Sequence, residues 1–158
     1  MNKNYIKNCY KNIEENSKYE CFAITLPLTL IYKSIFNKHE NIMKDNYCIN
    51  HSEIDVLVSL YFNGYIQSPT ELYESTIFSS GGMTKVLKKL EEHKYISRIA
   101  DKKDKRSMLV QLEEKGAKLA AEILDIFVVE DNKVYGILSE EEKRTLSVLL
   151  KKLLTAIE

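Results

Sequence analysis

The densest cluster of cations in the chain lies between Ser79 and Ser107. This stretch holds nine basic residues against four acidic ones, so its formal charge is +5, although the whole chain of 158 residues has a net charge of zero. A basic segment on an otherwise acidic chain attracts phosphate locally while the protein stays soluble. The charge distribution therefore predicts a contact with nucleic acid.

The first half of this stretch has the periodicity of a helix from Ser80 to His93, with its apolar residues on one face. A helix that enters the major groove needs small residues at its N-terminal end and hydrogen-bond donors beyond them. The alternative is an ordinary surface helix with solvated lysines. We predict DNA contacts for Ser80, Gly81, Gly82, Thr84, Lys85, Lys88 and Lys89.

The second half reads as two short strands, Ile96 to Ala100 and Met108 to Leu112, joined by a charged run. That run carries four cations, which suit the negative potential of a narrow minor groove. The alternative interpretation of this run is a solvated turn. Because the run follows directly after a predicted helix-turn-helix, we favour the DNA contact. We predict DNA contacts here for Arg98, Lys102, Lys103, Lys105 and Arg106.

The elements before this stretch would position it. Ser68-Pro69-Thr70-Glu71 is a strong helix start, with a capping serine, a proline and a glutamate at the third position. Ser68 and Thr70 would also contact DNA. An earlier helix is predicted to open at Ser52, with Asp55 completing a partial capping box, and to end at Gly64. Two short helices followed by a basic hairpin form the order of a winged helix-turn-helix.

The flanking segments are predicted to be helical. Residues 1–16 read as a loose arm or the start of a helix, and 17–46 as a long helix in which Pro27 marks either a kink or a helix start. Further helices are predicted from Glu113 to about Tyr135 and after Ser139. The expected fold is mainly α with a small β-hairpin wing. Residues 49–113 would form the winged helix-turn-helix DNA-binding domain, and residues 1–48 and 114–158 a helical dimerisation region.

Composition argues against several other classes of protein. The three cysteines are widely spaced and the three histidines scattered, which predicts neither a disulfide scaffold nor a metal site. No catalytic triad, paired-carboxylate motif or glycine-rich phosphate loop is evident, so we expect no enzyme and no cofactor. The apolar run from Cys21 to Tyr32 is too short to span a bilayer, and no signal-peptide pattern opens the chain. We therefore expect a cytoplasmic protein without membrane contact.

Over residues 20–157 the sequence resembles the multiple-antibiotic-resistance regulator (MarR) family. The resemblance rests on Ser68–Leu72, Ser80–Glu91, Tyr95–Arg98, Asp104–Leu112, Gly116 and Leu138–Glu142. It implies a homodimer whose terminal helices pair and whose two winged domains straddle a pseudo-palindromic operator. Thr84 and Lys85 would then face bases, and Arg106 would enter the minor groove. Many members are repressors released by small aromatic ligands or by oxidation.

The chain departs from the family pattern at two positions. Glu113 stands where threonine is usual, and glutamate is a poorer N-cap, which makes the following helix start less well defined. Tyr73 replaces an alanine that is common in the short helix after Glu71-Leu72, so packing there should differ.

The segment from Lys18 to Ala23 looks like the surroundings of the reactive cysteine in the organic-hydroperoxide branch of the family. In that branch, oxidation of a thiolate to a sulfenic acid releases DNA. This chain has Thr25 and Ile35 where that branch has two tyrosines, although Tyr19 and Tyr32 are nearby. Cys21 is therefore interpreted either as a redox sensor or as a small buried apolar residue.

The sequence thus predicts a DNA-binding transcription regulator, a repressor that binds its operator as a homodimer and is released by a small ligand or an oxidant. Its predicted partners are double-stranded DNA, a second copy of the chain and a small aromatic ligand. The alternative is a winged-helix module for protein–protein interaction without sequence-specific DNA binding.

Overall fold

The structure is a computed structural model that describes residues 3–15, 17–76, 80–101 and 107–157. The chain divides into two compact units, Met1–Asn41 and Ile42–Glu158. The first contains helix α1 (Lys3–Glu14), a 3-10 turn (Ser17–Tyr19) and most of helix α2 (Phe22–Asn46), which continues into the second unit.

These elements bear on two alternatives that the sequence left open, the structure of residues 1–16 and the role of Pro27. Of the two interpretations of residues 1–16, the helical one is confirmed by α1. Helix α2 begins at Phe22, later than the predicted start at residue 17; Ser17–Tyr19 form a 3-10 turn instead. Pro27 lies inside α2 and does not start it. Near the N-terminal end of a helix, a proline removes only one early backbone hydrogen bond, here to the carbonyl of Ala23.

The second unit contains the winged helix-turn-helix. Its elements follow in the order α3 (His51–Phe62), β1 (Ile66–Gln67), α4 (Pro69–Ser75), α5 (Ser80–Glu92), β2 (Ile96–Ala100), β3 (Met108–Leu112), α6 (Glu114–Tyr135) and α7 (Glu140–Leu154). The predicted fold class, mainly α with a small β wing, is confirmed. The predicted division at residues 48/49 and 113/114 stays a prediction.

The wing is part of a three-stranded antiparallel sheet rather than the two-stranded hairpin that we predicted. The strand order is β1-β3-β2, with Ile66 opposite Gln111 and Ile96 opposite Leu112. Strand β1 has only two residues, so no alternation of apolar and polar side chains could indicate it. Pairing of β1 with β3 ties the segment before α4 to the wing.

The predicted start of α3 at Ser52 was wrong. The N-cap is Asn50, whose side chain accepts the Glu53 N–H at 3.0 Å, while Glu53 Oε2 accepts the Asn50 N–H at 3.3 Å. This is a complete capping box, which satisfies two backbone donors at once. A start at Ser52 would place Asp55 at the reciprocal position, where its shorter side chain reaches back less well. The predicted end is confirmed: Gly64 has φ +83°, and the next N–H bonds the Leu60 carbonyl at 2.8 Å.

One hydrophobic core lies beneath the sheet and between the helices. Its buried members come from α2, α3, α4, α5, both long strands and α6, and they include Met43, Ile54, Leu57, Leu60, Leu72, Met83, Leu87, Leu90, Ile96, Val110, Ala120 and Ile123. Because α4 and α5 contribute to the same core as α3 and the sheet, apolar burial packs the helix-turn-helix against the sheet.

The start of α6 lies very close to the backbone before β2. Glu113 makes no side-chain capping bond, as expected, but its N–H donates to the Tyr95 carbonyl at 3.0 Å. A Cβ atom added to Gly116 would lie 2.2 Å from that same carbonyl oxygen. Gly116 is therefore required by close backbone approach.

Helix α7 has a well-formed start but leaves its apolar face uncovered. Ser139 and Glu142 form the predicted capping box. No residue of α7 is buried; Leu149, Leu154 and Ile157 beyond the helix end are 54%, 67% and 77% exposed. Among the described residues, no helix combines the length and apolar character needed to cross a membrane.

Candidate nucleic-acid interface

Helix α4 begins with the predicted capping box. The Glu71 N–H donates to Ser68 Oγ at 3.2 Å, and the Ser68 N–H donates to Glu71 Oε2 at 2.6 Å. Hydrogen bonding to the Glu71 carboxylate, first from the Ser68 backbone N–H and second from the Ser68 side chain, lowers the pKa of that carboxyl. Thr70 is exposed beside them. The Ser68 hydroxyl is thus already engaged in capping, which fixes the N-terminal end of α4.

Helix α5 has the buried and exposed faces that its periodicity predicts. Met83, Val86, Leu87 and Leu90 are buried, whereas Thr84, Lys85 and Lys88 are exposed. Within the described part of the chain, no hydrogen bond or ion pair engages the side chain of Thr84 or Lys85. Both side chains are therefore available to a ligand on the solvent face of α5. Gly82 is half-buried in the first turn, in a helix that begins at Ser80.

In the described part of the basic stretch, three cations have acidic partners. Lys89 Nζ lies 2.7 Å from Glu53 Oε1 on α3, and Arg98 Nε lies 3.3 Å from Glu91 Oε2 on α5. Lys88 Nζ is 3.9 Å from Glu92 Oε1, with both side chains largely exposed. Exposed pairs of this kind are weak and exchange readily with water. The total of nine cations in this stretch therefore overstates the number that are freely available.

The C-terminal end of α5 is closed by a left-handed residue. Lys94 has φ 60°, its N–H donates to the Glu91 carbonyl at 2.9 Å, and the Tyr95 N–H donates to the Leu90 carbonyl at 3.0 Å. This pair of bonds is a Schellman motif. Lys115 of α6 adds a bond to the His93 carbonyl at 3.0 Å, and its ammonium lies 4.6 Å from the centre of the Tyr95 ring. The end of α5 is therefore tied to α6.

The base of the wing is ordered by strand pairing, and the Asp101 N–H donates to the Ser107 carbonyl at 3.0 Å. Four of the predicted contact residues, Lys102, Lys103, Lys105 and Arg106, lie outside the described residues. For Ser80 and Gly81, only their place at the start of α5 is described. The predicted contacts of these six residues stay predictions, as do those of the other residues predicted to contact DNA.

A buried polar network joins α3, β1 and α4, and sequence reasoning missed it. The Ser59 hydroxyl lies 2.9 Å from Gln67 Oε1 and 2.7 Å from the Ser75 hydroxyl. Ser75 and Thr76 also bond the Leu72 carbonyl, at 3.2 and 2.7 Å. Ser59 and Gln67 are both buried, so these bonds satisfy polar groups that water does not reach. The network holds the end of α4 at a fixed distance from the sheet.

Cys21 is exposed, so the interpretation of it as a small buried residue was wrong. Its backbone carbonyl accepts the Thr25 hydroxyl at 3.2 Å. The nearby tyrosines pack against phenylalanines: the ring centres of Tyr19 and Phe22 are 6.3 Å apart, and those of Tyr32 and Phe36 5.6 Å apart. In the described part of the chain, no group of three or more His, Cys, Asp or Glu side chains is arranged to hold a metal ion.

These features define a winged helix-turn-helix protein: two short helices on a shared core, an exposed basic face on the second helix, and a sheet that projects a hairpin. A family model described as "Transcriptional regulator SarA/Rot" matches residues 38–123. The chain belongs to the MarR-type winged-helix transcriptional regulators, the group in which this model and the relatives below fall.

Two relatives illustrate the match. The HTH-type transcriptional regulator MhqR of Bacillus subtilis is 32% identical over 125 residues, which cover 79% of this chain and 85% of MhqR. The HTH-type transcriptional regulator SarZ of Staphylococcus aureus is 30% identical over 124 residues, which cover 78% of this chain and 76% of SarZ. The predicted MarR-family membership is confirmed.

Solved structures agree with the fold. The regulator BldR of Sulfolobus solfataricus has a TM-score of 0.77 at 20% identity, over 90% of this chain and 99% of BldR. The S. aureus MepR–DNA complex has a TM-score of 0.69 at 22% identity, over 84% of this chain and 97% of MepR. A mutant of E. coli MarR in complex with operator DNA has a TM-score of 0.69 at 23% identity, over 85% of this chain and 96% of that chain.

Proposed function

We propose that this transcriptional regulator binds double-stranded DNA directly, with α5 in the major groove. The observation that carries the proposal is the exposed face of α5, where Thr84 and Lys85 have no partner in the described part of the chain and Lys88 has only a weak one. Threonine and lysine donors can bond base edges and phosphates from this position. Structural neighbours that are complexed with DNA support the proposal.

The remaining contacts are assigned by position. The first turns of α4 and α5 bring Ser68, Thr70, Ser80, Gly81 and Gly82 to helix N-termini, where backbone N–H groups attract phosphate. In the wing we propose minor-groove contacts for Lys102, Lys103, Lys105 and Arg106. Lys89 and Arg98 have acidic partners, so their charges are less available to phosphate than those of cations without a partner.

We further propose that two copies of the chain bind a pseudo-palindromic operator. The exposed leucines of α7 and Ile157 beyond it form an apolar face that a second copy would cover. Two winged domains related by a two-fold axis would then meet two half-sites about one helical turn apart. The protein would act as a repressor, in the cytoplasm where the DNA is located.

The direct test is a gel-shift titration at two salt concentrations. Binding that depends on phosphate contacts weakens with salt, by a slope of about 0.9 in log K per phosphate neutralised. We expect Lys85→Ala with Arg106→Ala to abolish the shift. Lys33→Ala with Lys118→Ala, at exposed lysines of α2 and α6, removes the same charge as the matched control and should leave the shift unchanged. Unchanged binding by the double variant would refute the assignment, and salt-independent behaviour would favour the protein–protein module.

Release of DNA is proposed to follow binding of a small aromatic ligand or oxidation of Cys21. The exposed Cys21 thiol is accessible to a peroxide, which would convert it to a sulfenic acid. Trapping of that acid after mild peroxide treatment, together with loss of the gel shift, is the expected result. If Cys21→Ser still releases DNA with peroxide, oxidation of Cys21 is excluded as the cause of release.

A further inference from the structure

An ion pair joins the first turn of α3 to α5. Lys89 Nζ lies 2.7 Å from Glu53 Oε1, and the Glu53 side chain is only 4% exposed while that of Lys89 is 43% exposed. A carboxylate this well buried is stabilised when cationic and hydrogen-bond donors surround it. The lysine that the sequence placed among the DNA contacts therefore has a partner inside the protein.

The carboxylate is also held in place from the α3 side. Glu53 Oε1 accepts Asn50 Nδ2 at 2.9 Å, and Oε2 accepts the Asn50 N–H at 3.3 Å. The capping box thus fixes the acceptor before Lys89 reaches it. A charge-assisted bond to a fixed acceptor restricts where the ammonium group, and hence this part of α5, can lie.

Rotation of α5 about its own axis would break this pair. The apolar contacts of its buried face are non-directional, so by themselves they tolerate small rotations. Lys89 follows Lys85 by four residues and therefore lies along the same strip of the helix surface. Any rotation that turns Lys85 away from its present direction carries Lys89 away from Glu53.

We propose that Glu53 and Lys89 are positioning residues that set the rotation of α5, so that Thr84, Lys85 and Lys88 face DNA, and that Lys89 neutralises no phosphate. The proposal rests on the proposed function and adds to it the origin of sequence selectivity. Half-buried polar pairs of this kind can favour one arrangement of packed elements over its neighbours. The more exposed pair of Lys88 with Glu92 lies within one helix and cannot orient it against α3.

The test compares two lysine variants that remove the same charge. The probes are a duplex selected by the wild-type protein from a random pool and a scrambled duplex of the same composition. Lys88→Met should lower the salt slope by about 0.9. Lys89→Met should leave the slope unchanged and lower the ratio of the two affinities about tenfold. Glu53→Gln should lower the ratio similarly, and Lys89→Arg should retain it.

Two outcomes would overturn the inference: a salt slope lowered by about 0.9 in Lys89→Met, or tighter binding by Glu53→Gln, since each means that Lys89 binds phosphate. Lys89→Met alone leaves Glu53 unpaired and could fail to fold. In that case the double variant Glu53→Gln with Lys89→Met removes both charges. An unchanged ratio of affinities for the selected and scrambled duplexes in the double variant also overturns the inference. Absence of salt-dependent binding by the wild-type protein refutes the proposed function itself, and the inference with it.

Discussion

The helix-turn-helix with its sheet and the C-terminal helix α7 share one type of helix start but differ in how much apolar surface they bury. Both α4 and α7 open with a serine–glutamate capping box. Most apolar side chains of α3 and α5, with Ile96, Val110 and Leu112 of the sheet, are then buried in one core, whereas those of α7 remain largely exposed. Local capping therefore makes a helix, but only a partner surface buries it.

This difference assigns separate roles to the two regions. The winged region buries a set of apolar side chains in the core and satisfies buried polar groups through the Ser59–Gln67–Ser75 network. The exposed face of α5 carries the cations that we propose to contact DNA. The exposed chemistry of α7 is apolar and suits another protein surface, which is why we propose that a second copy covers it.

The largest expected effect comes from Gly116→Ala in the winged region. Its new methyl group would lie 2.2 Å from the Tyr95 carbonyl oxygen, so α6 must move away from β2. We expect a loss of about 3 kcal/mol in the free energy of unfolding, measured by urea denaturation. Gly64→Ala is the control: its methyl group meets no atom, and its positive φ costs only about 1 kcal/mol. Equal losses in the two variants would contradict the close approach.

The second prediction concerns α7. Leu149→Lys with Leu153→Lys should weaken self-association about a hundredfold, because two apolar side chains together contribute about 3 kcal/mol when buried. Sedimentation equilibrium measures the change, and urea denaturation of the winged region should be little altered. Thr145→Lys with Ser147→Lys, at exposed polar positions of the same helix, is the matched control. A protein that is monomeric before substitution would refute the assignment of roles.

A smaller effect of opposite sign is expected at the end of α5. Lys94 holds φ 60°, a conformation that glycine adopts without strain. Lys94→Gly should therefore raise the free energy of unfolding by about 0.5–1 kcal/mol. Lys118→Gly within α6 should lower it by about 1 kcal/mol, since glycine weakens a helix interior. Destabilisation by both variants would mean that the lysine side chain matters more than its backbone conformation.

The smallest expected effect, a change of stability with pH, is similar in the two regions, because each capping box contains a glutamate whose pKa is lowered. Hydrogen bonds from Ser68 and Ser139 lower the pKa values of Glu71 and Glu142 below the ordinary 4.5. The stabilisation is fully present above that ordinary value and is lost as pH falls through the lowered folded pKa. Thermal unfolding between about pH 6 and about pH 3 should show a slightly smaller decrease for Glu71→Gln and Glu142→Gln than for the wild type.

Helix order, the two serine caps and the buried face of α5 were predictable because each depends on residues within a few positions of one another. The start of α3 was misplaced by the same local reasoning, since Asn50 and Ser52 both make good caps and only the reciprocal bond of Glu53 separates them. Strand β1 was missed because two residues show no period, and its pairing with β3 depends on distant sequence.

The basic stretch separates what the sequence determines by itself from what depends on the tertiary structure. Sequence alone determined the fold class, the faces of α5 and the total of nine cations, because composition and helical periodicity are properties of the chain. Only the tertiary structure decided which cations are available. Packing of α5 against α3 brought Lys89 to Glu53, and packing against β2 brought Glu91 to Arg98. Ion pairs between elements depend on distances that no local pattern contains, and here those distances pair Lys89 and Arg98 with carboxylates.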